Sequence, residues 1–340
     1  MGGEDEFILY LDDYSGPGHS EPFGQSGPGW KTKVLPGKGQ AWKQLKLPAA
    51  LRQDRVDAFH SLTSTIPLRR PCPTVVTICD LFFEVYPEFV PVKSRLIMRR
   101  LFSYAARHAD RIIAISENTK RDIIQFYDVP DSKIAVSYPG LNPFFRRLEG
   151  EGGIKNTLAK YKIDSPYVLH VGSLSFTRNI SGLMEAFALL TEDYPKMKLV
   201  LVGGSFWGFQ LAPLLEKHGL ENQVIAIDYM PNEDLRAVYN EAQALILPSF
   251  FEGFGLPIIE AMACGTPVVA SSVGAMKEAA GDAGLLVDPH DPAAMAEAMR
   301  RILKDDNLQE QLIEKGLAQA AKFTWRAAAE EALEVYHSLA

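Results

Sequence analysis

No stretch limits what this chain can fold into more than the twenty residues from Pro248 to Pro267. Just before them, Ala244–Leu247 is a short apolar run of buried-strand type. Glu252-Gly253-Phe254-Gly255 predicts a turn-rich loop. Pro257 suits the first helical position, where its missing N–H leaves nothing unsatisfied. Gly265 supplies the left-handed residue that ends such a helix, and Pro267 stops it from resuming. Strand, glycine loop and helix N-terminus in that order make a site for a phosphate or diphosphate, because free N–H groups and the helix dipole attract an anion. Glu252 lies in the loop and Glu260 about one turn inside the helix. Carboxylates beside an anion site suit hydroxyl groups, from which they accept hydrogen bonds. A diphosphate with hydroxyl-bearing groups on both sides describes a nucleotide-sugar. The plain structural alternative is a Rossmann-like loop and helix carrying two solvated glutamates.

Along the rest of the chain, short β-rich runs alternate with amphipathic stretches, the pattern of parallel sheets covered on both faces. The first set of strand candidates is Phe7–Leu11, Thr32–Leu35, Asp57–Leu62, Thr74–Ile78, Arg111–Ile115 and Ile134–Ser137. The second is Tyr167–Val171, Lys198–Val202, Val224–Ile227, Ala244–Leu247, Pro267–Ala270 and Gly284–Val287. The charged, glycine-bearing segment Arg146–Lys162 separates them as a linker, and Tyr14–Trp30, rich in Gly, Pro and Ser, predicts a mobile loop. Domains are therefore expected over 1–146 and 147–324, with a last helix in 325–340 whose apolar stripe is Ala328, Ala332, Val335 and Leu339. The 340 residues suffice for two cores. A net charge of −7 argues against general nucleic-acid binding. Cys72, Cys79 and Cys264 form no Cys-x-x-Cys pair, so neither a disulfide framework nor a zinc site is indicated. No apolar run approaches membrane-spanning length and no signal-peptide core is present, so the expected compartment is the cytoplasm.

Glu252 and Glu260 within Glu-Gly-Phe-Gly-Leu-Pro-x-x-Glu-Ala resemble the signature of retaining glycosyltransferases of family 4. That resemblance implies an α/β GT-B fold, two Rossmann-like doubly wound domains facing across a cleft. It implies that Glu252 contacts the transferred sugar and Glu260 the nucleotide ribose, while the backbone of Gly253, Phe254, Gly255 and Leu256 faces the sugar and diphosphate. It also implies that the last helix crosses back to the first domain. Val171-Gly172-Ser173-Leu174 and Val202-Gly203-Gly204 resemble the family's donor-side strand ends, which puts Gly172 and Gly203 among the expected nucleotide contacts. Where the family usually has an Arg-Lys pair that neutralises the diphosphate, this chain has Thr177-Arg178. Arginine pairs bidentately with phosphate, so Arg178 is the expected catalytic cation. Tyr229-Met230-Pro231 resembles the loop beside the base. The implied reaction is hexosyl transfer, with mannose as the sugar the resemblance suggests, from a nucleotide-diphosphate sugar to a saccharide or lipid-linked acceptor. A leaving phosphate oxygen would take the acceptor's proton. With no Asp-x-Asp in the chain, metal-independent chemistry without a cofactor is expected.

The first domain departs from the family pattern. Val75–Leu81 resembles a strand end that usually reads His-Asp, and here it reads Cys79-Asp80. Cys79 is expected as a small buried hydrophobe, with Asp80 left near the cleft as a candidate catalytic residue. The family opens with a strand, a Gly-rich turn and a helix, whereas Glu4–Leu11 corresponds to its second strand. The first strand is central in a doubly wound sheet. Natural loss with compensation, a strand from a partner chain, and a late start of the sequence all remain open. A basic amphipathic helix over Val92–Arg111 carries six cations among Leu96, Ile97, Leu101 and Phe102. It reads either as a solvated face or as peripheral contact with the inner membrane face. His60, at a strand end, is expected to be structurally satisfied. A degenerate GT-B protein that binds nucleotide or a partner chain without efficient turnover is the alternative function, and a sugar phosphorylase of the same fold a more distant one.

Overall fold

The structure is a computed structural model that describes residues 5–12, 29–148, 152–164, 166–206 and 208–339. Each strand candidate falls on a strand to within two residues. In the second half, β7 (Tyr167–Val171), β8 (Lys198–Val202), β9 (Val224–Ile227), β10 (Ala244–Leu247), β11 (Val268–Ser271) and β12 (Leu285–Val287) form one parallel sheet. Its order is β12-β11-β10-β7-β8-β9. The residues of β7, β10 and β11 are buried throughout, as both-face coverage requires. Alternate residues feed separate cores: Leu169, Val200 and Leu245 on one face, Val168, Leu199 and Ile246 on the other.

In the first half, β3 (Phe59–Ser61), β4 (Thr74–Ile78), β5 (Arg111–Ala114) and β6 (Ile134–Val136) pair in sequence order as a four-stranded parallel sheet. β1 (Phe7–Asp12) and β2 (Trp30–Leu35) pair only with each other. The small sheet is tied to the helix Leu47–Gln53 through its C-cap Asp54, which accepts a hydrogen bond of 2.6 Å from Tyr10 and an ion pair from Lys33.

The last helix, Trp325–His337, covers one face of the first domain's sheet. Val335 packs on Val75 and Ile113, with Ala332, Tyr336 and Leu339 beside it. His60 anchors it, its Nδ1 lying 2.5 Å from the Tyr336 hydroxyl and its Nε2 2.7 Å from Thr77 Oγ1. Both ring nitrogens are thus satisfied, as expected of a structural histidine.

Two expectations change. Arg146–Lys162 is not all linker, because Gly152–Lys160 forms a helix. Ile154 is buried there and Leu158 packs into the second domain's core, so an apolar stripe too short to stand out among the charges decides the conformation. The basic helix runs Val92–His108 and stops before Arg111, which begins β5. Of the expected loop Tyr14–Trp30, residues 14–28 lie outside the described residues, and Trp30 belongs to β2.

Candidate active site in the interdomain cleft

The second domain's strand order reverses between β7 and β10, and in an open parallel sheet the crevice at such a switch point lies beyond the strands' C-terminal ends. Gly172 follows β7 with φ +144°. A Cβ there would stand 3.0 Å from Arg178 Nη1, so the guanidinium lies over bare backbone. Gly203, after β8, has φ +145°, and its Cβ would sit 2.1 Å from the Gly172 carbonyl oxygen. Only glycine lets these two strand ends meet. Asn179 begins the following helix, Ile180–Thr191, accepting from the Gly182 N–H and donating to the carbonyls of Pro248 and Pro289. That fastens the Arg178 turn to the loop after β10.

Arg178 Nη1 pairs with Glu252 Oε1, which also accepts a 2.8 Å hydrogen bond from Ser249 Oγ. Burial pushes the Glu252 pKa up, Arg178 and Ser249 pull it back, and the charge of Asp80 raises it again. Asp80 reaches the site from the first domain, held by a 3.1 Å bond from the Phe82 N–H. Its carboxyl is also raised by burial, against the pull of Arg178. One guanidinium, paired with Glu252 and within electrostatic reach of Asp80, thus stands beside a cavity of about 220 Å³ lined by Asp80, Arg178, Glu252 and Gly253. A cation facing bound phosphate and a carboxylate facing hydroxyls are both available at one point of the cleft.

Of the expected site residues, Asp80, Arg178, Glu252 and Gly253 line this cavity, while Gly172, Gly203, Phe254, Gly255, Leu256 and Glu260 do not. Gly255 has φ +103° and precedes the helix Leu256–Ala263, whose N-terminus no side chain caps. The helix begins one residue before Pro257. Leu256 is exposed, whereas the Phe254 ring is buried against Tyr138 and Phe323. Glu260 accepts a 2.9 Å bond from the Tyr239 hydroxyl, and burial raises its pKa.

Cys79 corrects an expectation: it is exposed. β4 ends at Ile78, so the next residue leaves the sheet at its C-terminal rim and neither helical layer covers it. Partial desolvation and the Asp80 charge raise the thiol's pKa, which keeps it protonated and a poor nucleophile. The Cys79 carbonyl occupies the space a side chain at Gly253 would need, 2.5 Å from the missing Cβ. Gly253 is therefore a domain-to-domain contact as well as a lining residue.

An aromatic collar is the feature sequence reasoning missed. Phe82 and Phe89 from the first domain and Phe176, Phe206 and Phe251 from the second line the same cavity. Phe89 stacks on Phe176 with centroids 5.7 Å apart and planes 7° apart. These phenylalanines lie in loops and short turns without periodicity, so no sequence signal marked them. Glu278 was missed as well. From the second domain it accepts the Glu117 and Asn118 N–H groups, both at 2.8 Å, at the start of the first-domain helix Glu117–Tyr127. It also accepts from the Tyr138 hydroxyl at 3.0 Å. Among the described residues no group of three or more His, Cys, Asp or Glu is arranged to hold a metal ion. No described helix is long and apolar enough to cross a membrane.

Comparison with known proteins places these features in a family. Residues 154–319 match Glycosyl transferases group 1, and residues 6–143 match Glycosyltransferase Family 4. The chain is 31% identical over 312 residues to the O-antigen chain mannosyltransferase B of Escherichia coli, covering 90% of this chain and 79% of that protein. It is 32% identical over 242 residues to a D-inositol 3-phosphate glycosyltransferase of Corynebacterium diphtheriae, covering 67% of this chain and 56% of that protein. In fold it resembles the Anabaena protein Alr3699/HepE solved with UDP-glucose, with a TM-score of 0.74, 20% identity and coverage of 98% of both chains. It also resembles WaaG, a glycosyltransferase involved in lipopolysaccharide biosynthesis, with a TM-score of 0.71, 19% identity and coverage of 92% of this chain and 88% of that one.

Proposed function

The chain belongs to the group 1, family 4 glycosyltransferases, and we propose that it moves a hexosyl group, mannosyl by analogy with the mannosyltransferase relative, from a nucleotide-diphosphate sugar to a saccharide or lipid-linked acceptor with retention at the anomeric carbon. The observation that carries this is the Arg178–Glu252 pair facing Asp80 across the cleft. A donor diphosphate draws Arg178 away from Glu252, because a dianionic partner with bidentate geometry outcompetes one carboxylate. Glu252, freed and still held by Ser249, accepts hydrogen bonds from hydroxyls of the sugar. Arg178 and the uncapped helix N-terminus at Gly255 then neutralise charge on the departing diphosphate. A phosphate oxygen takes the acceptor's proton on the face where the bond forms, and no protein nucleophile and no metal is required. Glu260 serves the ribose and is poised by Tyr239.

In this reading the enzyme works in the cytoplasm. The exposed Val92, Leu96 and Ile97, interleaved with Lys93, Arg95 and Arg100, rest on the inner membrane face near a lipid-linked acceptor. A further strand, from this chain or a partner, pairs with the separate β1–β2 sheet. The test is nucleotide release from GDP-mannose, UDP-glucose and UDP-N-acetylglucosamine, with and without a chelator, and NMR of the product's anomeric proton. An inverted product or full dependence on added divalent metal refutes the scheme. A second reading, nucleotide binding with little turnover, draws on the protonated Cys79 at the sugar-facing strand end. Nucleoside diphosphate binding without release from any donor would establish it.

A further inference from the structure

Lys43 stands apart from the machinery described so far. It lies on the π-turn Trp42–Lys46, and its Nζ donates to Thr63 Oγ1 at 2.8 Å and to Thr65 Oγ1 at 2.5 Å. Lysine heads normally stay in water with their stems buried. This one is half-buried among neutral groups, and desolvation alone lowers its pKa. No ion pair with a carboxylate is formed among the described residues, so the charge sits against two hydroxyls and nothing of opposite sign.

The backbone that builds this arrangement is unusual on both sides. A π-turn aims Lys43, and Ser64, between the two threonines, adopts φ +54°. Both conformations are costly and recur at functional positions. They are fixed by the Ser64 N–H bond to the Thr77 carbonyl at 3.1 Å and by the Ser61 hydroxyl bond to the Thr65 carbonyl at 2.6 Å. The loop leaves the C-terminal end of β3, on the rim from which Cys79 and Asp80 face the cleft. Thr77 precedes Asp80 by three residues, which bounds the separation at about 10 Å.

We infer that Lys43, Thr63 and Thr65 form a phosphate-binding cradle for a phosphoryl group on the acceptor substrate. Each threonine oxygen already accepts from the ammonium. Thr63 Oγ1 also lies 3.3 Å from Ser61 Oγ, whose own proton goes to the Thr65 carbonyl, so Thr63 donates there and the Thr65 hydroxyl proton is the one free to donate outward. With the remaining ammonium proton that makes two donors around one point, with Thr63 holding the ammonium in place, and a tetrahedral oxyanion takes both donors while supplying the missing negative charge. A neutral sugar hydroxyl would leave the ammonium uncompensated. This inference rests on the glycosyltransferase reading, because it places the acceptor on the first domain's rim opposite the donor cation Arg178.

The phosphoryl group comes either from a soluble phosphorylated acceptor or from a lipid headgroup, and two probes separate these. With the donor site saturated by UDP or GDP, the full chain is titrated calorimetrically with glycerol 3-phosphate. In parallel it is sedimented with phosphatidylcholine vesicles with or without phosphatidic acid. The wild-type chain is expected to bind at least one probe, Lys43→Met to weaken that binding at least tenfold, Thr65→Val to weaken it severalfold, and Lys43→Arg to retain it. Loss confined to glycerol 3-phosphate assigns a soluble source, and loss confined to the phosphatidic acid vesicles a lipid one. Nucleotide affinity should be equal in all four proteins. Equal phosphate binding by wild type and Lys43→Met, or no binding of either probe by the wild type, overturns the inference. If Lys43-dependent phosphate binding appears while no nucleoside diphosphate binds, the donor reading fails and the cradle stands. Should Lys43→Met fold poorly, Thr63→Val with Thr65→Val carries the same comparison.

Discussion

Replacing Gly253 by alanine tests the closed arrangement of the cleft with a single methyl group. The new Cβ would lie 2.5 Å from the Cys79 carbonyl oxygen, 3.2 Å from Ile115 Cδ1 and 3.3 Å from Asp80 Cβ. Carbon and oxygen in such contacts settle at about 3.3 Å or more, so the Cys79 carbonyl must retreat by about 0.8 Å. It is backbone, and it accepts a 3.1 Å bond from Thr119 Oγ1, so it cannot swing aside as a side chain would. Either β4's end moves, carrying Asp80 with it, or the two domains part by a similar distance. Overpacking of this kind costs about 1–3 kcal/mol. A displacement near 1 Å at a reacting centre costs about 10²-fold in rate, equivalent to about 2.7 kcal/mol of barrier. Arg178, Ser249 and Glu252 belong to the second domain alone, so nucleoside diphosphate affinity should stay within about threefold by calorimetry while kcat falls about a hundredfold in the sugar-transfer assay. Gly153→Ala is the control: its Cβ meets nothing within 4 Å, and in a helix it should stabilise by up to about 1 kcal/mol without touching kcat. A Gly253→Ala enzyme with kcat within threefold of wild type would falsify the claim that this contact positions the site.

Glu278→Gln keeps the shape of the latch on the Glu117–Tyr127 helix but removes its charge, so about 1–2 kcal/mol of domain closure should be lost; small-angle scattering with nucleotide should show a larger radius of gyration, and an unchanged radius rejects the latch. Arg178→Ala should cut the transfer rate by about 10²–10³-fold, and Arg178→Lys should recover part of that; equal rates in all three proteins would remove Arg178 from the mechanism. His170 is buried and His60 half-buried, both neutral, each with its pKa lowered by desolvation to about 4. The unfolded chain binds protons at these rings below about 6.5, so their stabilising contribution is present above that pH. It is lost as pH falls from about 6.5 toward 4, up to about 3 kcal/mol per ring. Urea midpoints measured from pH 7 to 4.5 should drop accordingly, and His60→Gln should flatten the profile; an identical slope in both proteins contradicts the assignment.

The strands were legible because burial on both faces of a parallel sheet leaves continuous apolar runs such as Ala244–Leu247, whatever surrounds them. The Glu252–Gly255 loop was legible because its glycines mark backbone with no room for a side chain, at Gly253 against the Cys79 carbonyl and at Gly255 with φ +103°. Legibility failed where a side chain's surroundings come from distant sequence. Cys79 looked buried because β4 is, yet the strand ends one residue earlier. For Phe254 only the backbone was read, and nothing local announced that its ring joins a core with Tyr138 and Phe323. Glu278 caps a helix 160 residues away in the chain, a pairing that no local pattern announces.

The return of the Trp325–His337 helix to the first domain has a consequence for how the protein is made. Val75 and Ile113 find their partner Val335 only after more than two hundred further residues have been added. At about 5–20 residues per second, the first sheet leaves the ribosome and waits about 10–45 s with one apolar face bare. The second domain's six strands are contiguous in sequence, and what its cores take from outside, such as Phe145 and Tyr138, is already made, so it has no such delay. Synthesis therefore exposes this chain to a holdase for an interval set by its topology, and a nascent chain stalled before Trp325 should remain bound to one.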